Sequence, residues 1–305
     1  MSKIGLAQGV ETKGKFMKVS LLHPSTFKLD GGAMFGIIPK PLWERKIKAD
    51  ELNRIPMSLR VVLIETAKKK ILIDTGIGDY HGEKFDKQFA VTGNKSPLVK
   101  ALKETGVEPD QITDIILTHL HFDHVGGLGQ GAENHERIFP QATIHVHKKH
   151  YEYAKNPTKR DSGSFQKKYF VPLMEQYISE GKVKFLESEQ GTILRDGDEE
   201  IKFLVSFGHT PHMIHPIFKD YIYMADLVPM SHHINVPWVM GYDMEPGTTT
   251  VYKEKFYDYI QKYDLTMIFE HDLDTWGGKL AIDEKGRFSL NNPKTSNRKI
   301  AEQIS

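Results

Sequence analysis

The sequence predicts an α/β protein folded as one four-layer αββα sandwich. Two observations predict it. Strand-like segments come in two successive sets, and each set is followed by helical segments. The stretches richest in histidine and aspartate fall where strands run out, which is where ligand loops gather in layered α/β proteins. No short solenoid repeat competes with this reading. A chain of 305 residues suffices for one large domain, and a single domain over 1–305 is expected.

Composition narrows the function. A hydrophobic fraction of 39% beside a charged fraction of 27% fits a soluble globular chain. Lys plus Arg number 41 against 40 for Asp plus Glu, so there is no excess charge to hold nucleic acid or an anionic membrane. Without cysteine there is no disulfide framework and no thiolate metal site, and any metal must be held by histidine and carboxylate. No apolar run approaches the roughly 18 residues of a membrane helix. Residues 1–15 lack an apolar signal core, so a cytoplasmic location is expected.

Along the chain, residues 17–22 read as a first strand ending at His23-Pro24. The glycines of 29–36 argue for a turn with close backbone approach. An irregular arm, 29–53, continues through Pro39, Pro41 and Trp43. It is either a surface loop with one buried aromatic or a lid whose Met34, Phe35 and Trp43 cover a pocket. Residues 59–65 and 70–73 are strands around a short polar turn, the second ending in Asp74-Thr75-Gly76. Residues 97–106 carry Leu98, Ala101 and Leu102 at helical spacing, with Gly106 as C-cap. The β-branched run 112–117 is a buried strand. Segment 142–147 alternates as a strand and puts His145 and His147 on one face. They lack a glycine-rich loop and a carboxylate companion, so they read as strand-surface histidines. Residues 148–177, basic and aromatic, are expected as a helical insertion whose Lys and Arg form a solvated face. Strands resume at 182–186, 191–194 and 201–205. A strand-like 221–225 leads into the proline-containing loop 228–238, a natural pocket wall. Residues 249–263 have a helical pattern, and 273–305 is a polar closing segment.

The loop after 112–117 places four potential ligands, His119, His121, Asp123 and His124, within six residues. Imidazole suits zinc and other divalent transition metals, and a carboxylate adds a harder oxygen. One tetrahedral ion cannot easily use all four from so short a loop. Two ions can, with His119 and His121 on one and Asp123 and His124 on the other.

This string resembles the HxHxDH signature of the metallo-β-lactamase-fold hydrolases. The resemblance implies a metallo-β-lactamase-type sandwich and three further ligands: His209 in Gly208-His209-Thr210-Pro211, a bridging Asp226, and His271. It puts His119, His121 and His209 on one ion and Asp123, His124 and His271 on the other, with Asp226 between them. Zinc is the default metal, with iron, manganese or cobalt able to use the same ligands. Asp74 would then support the ligand loops from behind, a simple turn-forming aspartate being the alternative. The stretch 29–43 also resembles the YtnP-like branch, regarded as quorum-quenching lactonases.

The function this resemblance implies is opening of the lactone ring of N-acyl-homoserine lactones by a hydroxide shared between the ions. Asp226 and Asp123 would be the catalytic carboxylates, Asp123 passing a proton to the departing alkoxide. Met34, Phe35, Phe122, Met230, His233 and Trp238 are the expected substrate-contacting residues, apolar walls around two cations suiting a small ester with a greasy tail. The partner is then a small ester or lactone, with no nucleic acid and no membrane, and a homodimer is compatible. Two positions depart from the family pattern. His212 stands where a glycine is usual, and Pro229 stands where many lactonases have a tyrosine, so another donor such as His233 or a tyrosine elsewhere is required. Alternatives are hydrolysis of an organophosphate or aryl ester, a mononuclear iron, persulfide-dioxygenase-like oxidoreductase, and a non-catalytic metal-binding protein.

Overall fold

Strand β1, Lys18–Asp30, opens the described part of the chain, residues 17–93, 95–131 and 136–305 of a computed structural model. The expectation for residues 1–15 lies outside the described residues. β1 does not end at His23-Pro24. Its antiparallel pairing with β2, Arg54–Glu65, shifts register between Leu22 and Ser25, so Pro24, which has no N–H to give, sits in a bulge and the strand resumes. The glycine-rich turn proves to be a short helix, α1 (Gly31–Phe35), because the Asp30 side chain accepts from Ala33 N and caps it. Trp43, at the end of α2 (Lys40–Trp43), explains Gly31: a Cβ there would lie 2.4 Å from the indole ring.

The first half continues through β3 (Lys70–Ile73), α3 (Glu83–Phe89), α4 (Pro97–Lys103), β4 (Asp114–Ile116) and α5 (Phe122–Val125). A small hairpin, β5 (Gly129–Gln130) and β6 (Glu136–Arg137), precedes β7 (Thr143–His147). Helices α6 (Lys148–Lys155) and α7 (Lys167–Ser179) then lead to β8 (Val183–Leu186). The second half contains β9 (Gln190–Asp196), β10 (Glu199–Ser206), β11 (Met213–Phe218), β12 (Tyr221–Tyr223), α8 (Pro246–Lys262) and β13 (Thr266–Ile268). The polar segment after 273 is not a featureless tail. It forms β14 (Thr275–Ile282), β15 (Phe288–Thr295) and β16 (Ala301–Gln303), whose mostly polar or partly exposed residues keep these strands from reading as apolar runs.

Two seven-stranded sheets result, ordered β16-β1-β2-β3-β4-β7-β8 and β15-β14-β13-β12-β11-β10-β9. The last strand thus returns to pair with the first. Alternation along the first sheet assigns its two faces. Val62, Ile64, Ile71, Ile73 and Ile116 join the residues of the second sheet in one core, together with Phe256, Tyr257 and Ile260 of α8. Val61, Leu63, Leu72 and Ile115 point the other way, into a core shared with α4 and α7. This is the αββα layering. β7 lies inside the sheet between β4 and β8, so His145 and His147 are buried rather than on the surface. His145 Nε2 is 2.8 Å from Asp114 Oδ1, and the His147 ring stacks on His212 at 4.6 Å. Among the described residues no helix is long and apolar enough to cross a membrane.

Candidate metal centre

The candidate ligands converge because parallel strands end together. β3 and β4 run parallel, as do β12 and β13, and Asp74, the loop 118–124, Asp226 and His271 follow the carboxyl ends of these four strands. His209 comes from the connection between β10 and β11. The loops lock together through glycines. A Cβ on Gly126 would lie 2.1 Å from Ile77 O, and one on Gly127 2.1 Å from Thr75 O, so the ligand loop can seat against residues 75–77 only because both are glycine. His212 adopts φ 58, the left-handed region that the usual glycine would favour, and its stacking on His147 holds it there.

Two groups of atoms meet around Asp226. On one side, His119 Nε2 and His209 Nε2 each lie 3.1 Å from His121 Nδ1, and His209 Nε2 is 3.1 Å from Asp226 Oδ2. On the other, His271 Nε2 is 3.1 Å from Asp226 Oδ1, and His124 Nε2 is 3.6 Å from Asp226 Oδ2. Asp123 Oδ2 lies 3.9 Å from His124 Nε2 and 3.7 Å from His271 Nε2. All seven residues are buried.

The opposite ring nitrogens explain why these lone pairs face inward. His271 Nδ1 is 2.9 Å from Ser58 O, a pure acceptor, so Nδ1 carries a proton and Nε2 is the nitrogen turned to the centre. His209 Nδ1 stands 3.0 Å from Asp243 Oδ1, and His124 Nδ1 stands 3.0 Å from both Asp74 Oδ2 and Glu270 Oε2. Thr118 Oγ1 donates to Asp74 Oδ2 and is 3.1 Å from His119 Nδ1, whose proton it accepts. Burial and the neighbouring histidines hold His119 and His121 well below the ordinary imidazole range, keeping them neutral. Converging imidazole nitrogens and a shared carboxylate, with His124 Nε2 and Asp226 Oδ1 buried and without hydrogen-bond partners, fit divalent cations. Glu270 approaches His124 through Nδ1, the nitrogen turned away from the centre, so it orients that ring from behind as Asp74 does.

The centre forms the floor of a cavity of about 300 Å³. Of the expected substrate contacts, Met34 and Phe122 line it; Phe35, Met230, His233 and Trp238 do not. They pack behind the wall: the Phe35 ring stacks on His233 at 4.7 Å, and His233 Nε2 is committed to Met34 O at 2.8 Å. Sequence reasoning missed Met57, Phe89 and Tyr242, which do line the cavity, and Asp243 and Glu270 behind the ligands. It also placed Arg160 on a solvated face, whereas Arg160 lines the cavity. Glu270 is adjacent to a candidate ligand on a buried strand end, a usable signal; Tyr242 and Arg160 carry none.

Comparison with known proteins agrees with this geometry. Residues 58–271 match the metallo-beta-lactamase superfamily. The N-acyl homoserine lactonase AttM of Agrobacterium fabrum is 25% identical over 198 residues, 63% of this chain and 70% of its own length. The structure of a probable metal-dependent hydrolase from Staphylococcus aureus superposes with a TM-score of 0.78 at 27% identity, covering 90% of this chain and 97% of that one. AidC, a dizinc quorum-quenching lactonase, shares the fold with a TM-score of 0.72 at 20% identity, over 93% of this chain and 98% of its own. This chain belongs to the metallo-β-lactamase superfamily and is a metal-dependent hydrolase of that superfamily.

Proposed function

We propose that the protein hydrolyses the lactone ring of N-acyl-homoserine lactones at a centre of two divalent cations. His119, His121 and His209 would hold one, Asp123, His124 and His271 the other, and Asp226 would bridge them. Zinc suits this nitrogen and oxygen donor set, and iron, manganese or cobalt fit the same ligands. The observation that carries the reading is a cavity with carboxylate and imidazole donors at its floor and Leu29, Met34, Met57, Phe122 and Met240 in its wall. A small ester head with an apolar tail matches that division, and the lactonase AttM is among the relatives.

Bound cations of this kind lower the pKa of water from about 15.7 toward 7 and polarise a scissile carbonyl. The chain's own residues do the rest. Asp74, Glu270, Asp243 and Ser58 O fix the imidazoles. The apolar wall limits access of bulk water and accepts the acyl chain. Asp123, which lines the cavity, takes a proton and delivers it to the departing alkoxide oxygen. Overall, one water adds across the ring ester, the acyl C–O bond breaks, and a carboxylate, a hydroxyl and one proton are produced.

The test is metal content per chain, followed by proton release from lactones, aryl esters and phosphotriesters on the same sample. Two ions and lactone turnover are expected. Full turnover with one ion overturns the dinuclear centre. Turnover of an aryl ester or phosphotriester without any lactone overturns the substrate.

A further inference from the structure

Apart from the candidate ligands, the cavity wall is apolar except at Arg160, Ser164 and Tyr242. Arg160 and Ser164 come from the turn between α6 and α7, and Tyr242 from the loop before α8, so none belongs to a ligand loop. The two segments are tied together. Arg160 Nη2 donates to Gly241 O at 2.6 Å and to Asp243 O at 3.2 Å, the carbonyls on either side of Tyr242. The same loop is tied to the arm, where Gly241 N donates to Ala33 O at 2.8 Å, and to the centre through Asp243 and His209.

Tyr242 is therefore fixed at both neighbours, yet its hydroxyl makes no hydrogen bond to any described residue. It is 38% exposed, while the candidate ligands that form the floor are at most 7% exposed, so it lies nearer solvent than they do. Burial, with Asp30 and Asp123 nearby, pushes the phenol up to about 12, so it remains a donor at neutral pH. A polar group that leaves water for an apolar pocket is penalised unless it finds a partner. The wall offers such a partner at Tyr242. A substrate whose ester lies on the floor brings its next polar group toward the more exposed part of the wall, where Tyr242 stands.

We propose that Tyr242 donates a hydrogen bond to an amide carbonyl of the substrate, set back from the scissile ester, and that Arg160 is a positioning residue that holds Tyr242 in place. This rests on reading the centre as an ester hydrolase. It makes the pair a specificity device for acylamino esters over plain alkyl esters of equal length.

The experiment uses metallated full-length protein and paired substrates: an acylamino γ-lactone against an alkyl γ-lactone, and an aryl ester with and without an acylamino group. Metal content is measured for every variant. Tyr242→Phe should raise KM for the amide-bearing member about tenfold relative to the plain member, the loss of about 1.4 kcal/mol of binding, with the effect on KM rather than kcat. Arg160→Met should give the same selective rise, smaller, and Arg160→Lys should restore part of it. Equal losses for both members, a fall in kcat alone, or no change at all overturns the proposal. If only aryl esters are turned over, the lactone reading fails while the aryl pair still decides the role of Tyr242. No turnover of any pair by metallated wild type overturns both.

Discussion

The floor of the cavity and its wall are built by opposite rules. Each imidazole on the floor whose outer nitrogen is engaged has a partner of fixed chemistry behind it: Ser58 O for His271, Asp243 for His209, Asp74 and Glu270 for His124, and Thr118 for His119. The wall is assembled from segments distant in the chain, joined by a few backbone carbonyls. The arm meets the loop before α8 through Ala33 O. The α6–α7 turn meets the same loop through Arg160 and the ligand loop through Phe122 N, which donates to Ser164 O at 2.9 Å. A floor held this way can keep its chemistry while the wall changes. Substitutions on the floor should therefore cost metal and turnover for every substrate, and substitutions in the wall should redistribute activity among substrates.

The sharpest way to break this division is at Asp226, which stands between the two groups, Oδ2 facing His209 and His124 and Oδ1 facing His271. Asp226→Asn leaves the geometry but removes the charge that would offset the two proposed cations. We expect loss of at least one bound metal and a fall in turnover beyond the roughly 10–100-fold typical of residues behind the ligands, across all substrates alike. Metal analysis and kinetics on the same preparation check it. A variant that retained its metals and lost only long-chain substrates would place Asp226 with the wall.

One step outward, the division predicts a pH signature. In the metal-free protein burial opposes charge on His209, but Asp226 and Asp243 outweigh it and push His209 up to about 10. Burial likewise opposes charge on His271, yet Asp226 and Glu270 push it up to about 9. Both rings then carry protons at pH 7, and a ligand imidazole must be neutral, so metal uptake should release them. The sign follows: apparent metal affinity rises with pH up to these values and falls by about tenfold per unit of acidification for each proton displaced. Calorimetry in two buffers of different ionisation enthalpy measures the release. Asp243→Asn should reduce it and weaken metal binding by about 10–100-fold. Uptake at pH 7 with no proton release would show that the bare rings are already neutral.

The same contrast explains what the sequence could tell. The seven candidate ligands were legible because five of them occupy short strings with recognisable spacing, His119 to His124 and Gly208-His209-Thr210-Pro211, and the rest follow strand-like runs. The paired strands of the core were legible because Val61 to Ile64 and Ile71 to Ile73 are apolar on both faces and meet two different cores. Strand β1 was cut short at Pro24 because a bulge is a property of pairing, and the pairing partner lies more than thirty residues away. β14 to β16 were missed because β15 and β16 are edge strands with no fully buried position and β14 buries only Trp276, Gly277 and Gly278, so none reads as an apolar run. Tyr242 and Arg160 were not legible at all. Their position depends on Arg160 reaching carbonyls about eighty residues further along the chain, and no local pattern encodes that.

The smallest effect separates two neighbours on α1. Met34 lines the cavity, whereas Phe35, one residue on, stacks against Trp43 at 5.4 Å and His233 at 4.7 Å and meets Trp238 edge-on at 5.7 Å. The sequence reading puts both against the substrate. The structure turns Phe35 into the packing that holds Met34 in place. Removing the Met34 side chain should therefore flatten the dependence on acyl length, since each methylene buried against the wall contributes about 0.8 kcal/mol, roughly fourfold in kcat/KM. Phe35→Ala should instead cost about 3–5 kcal/mol of stability through the cavity it leaves and lower the melting temperature. In metallated protein held below that temperature, it should shift all chain lengths in parallel. Plots of kcat/KM against acyl length for the two variants decide the point. A steeper loss for long chains in Phe35→Ala than in Met34→Ala would mean that the α1 wall is inverted, with Phe35 meeting the substrate and Met34 supporting it.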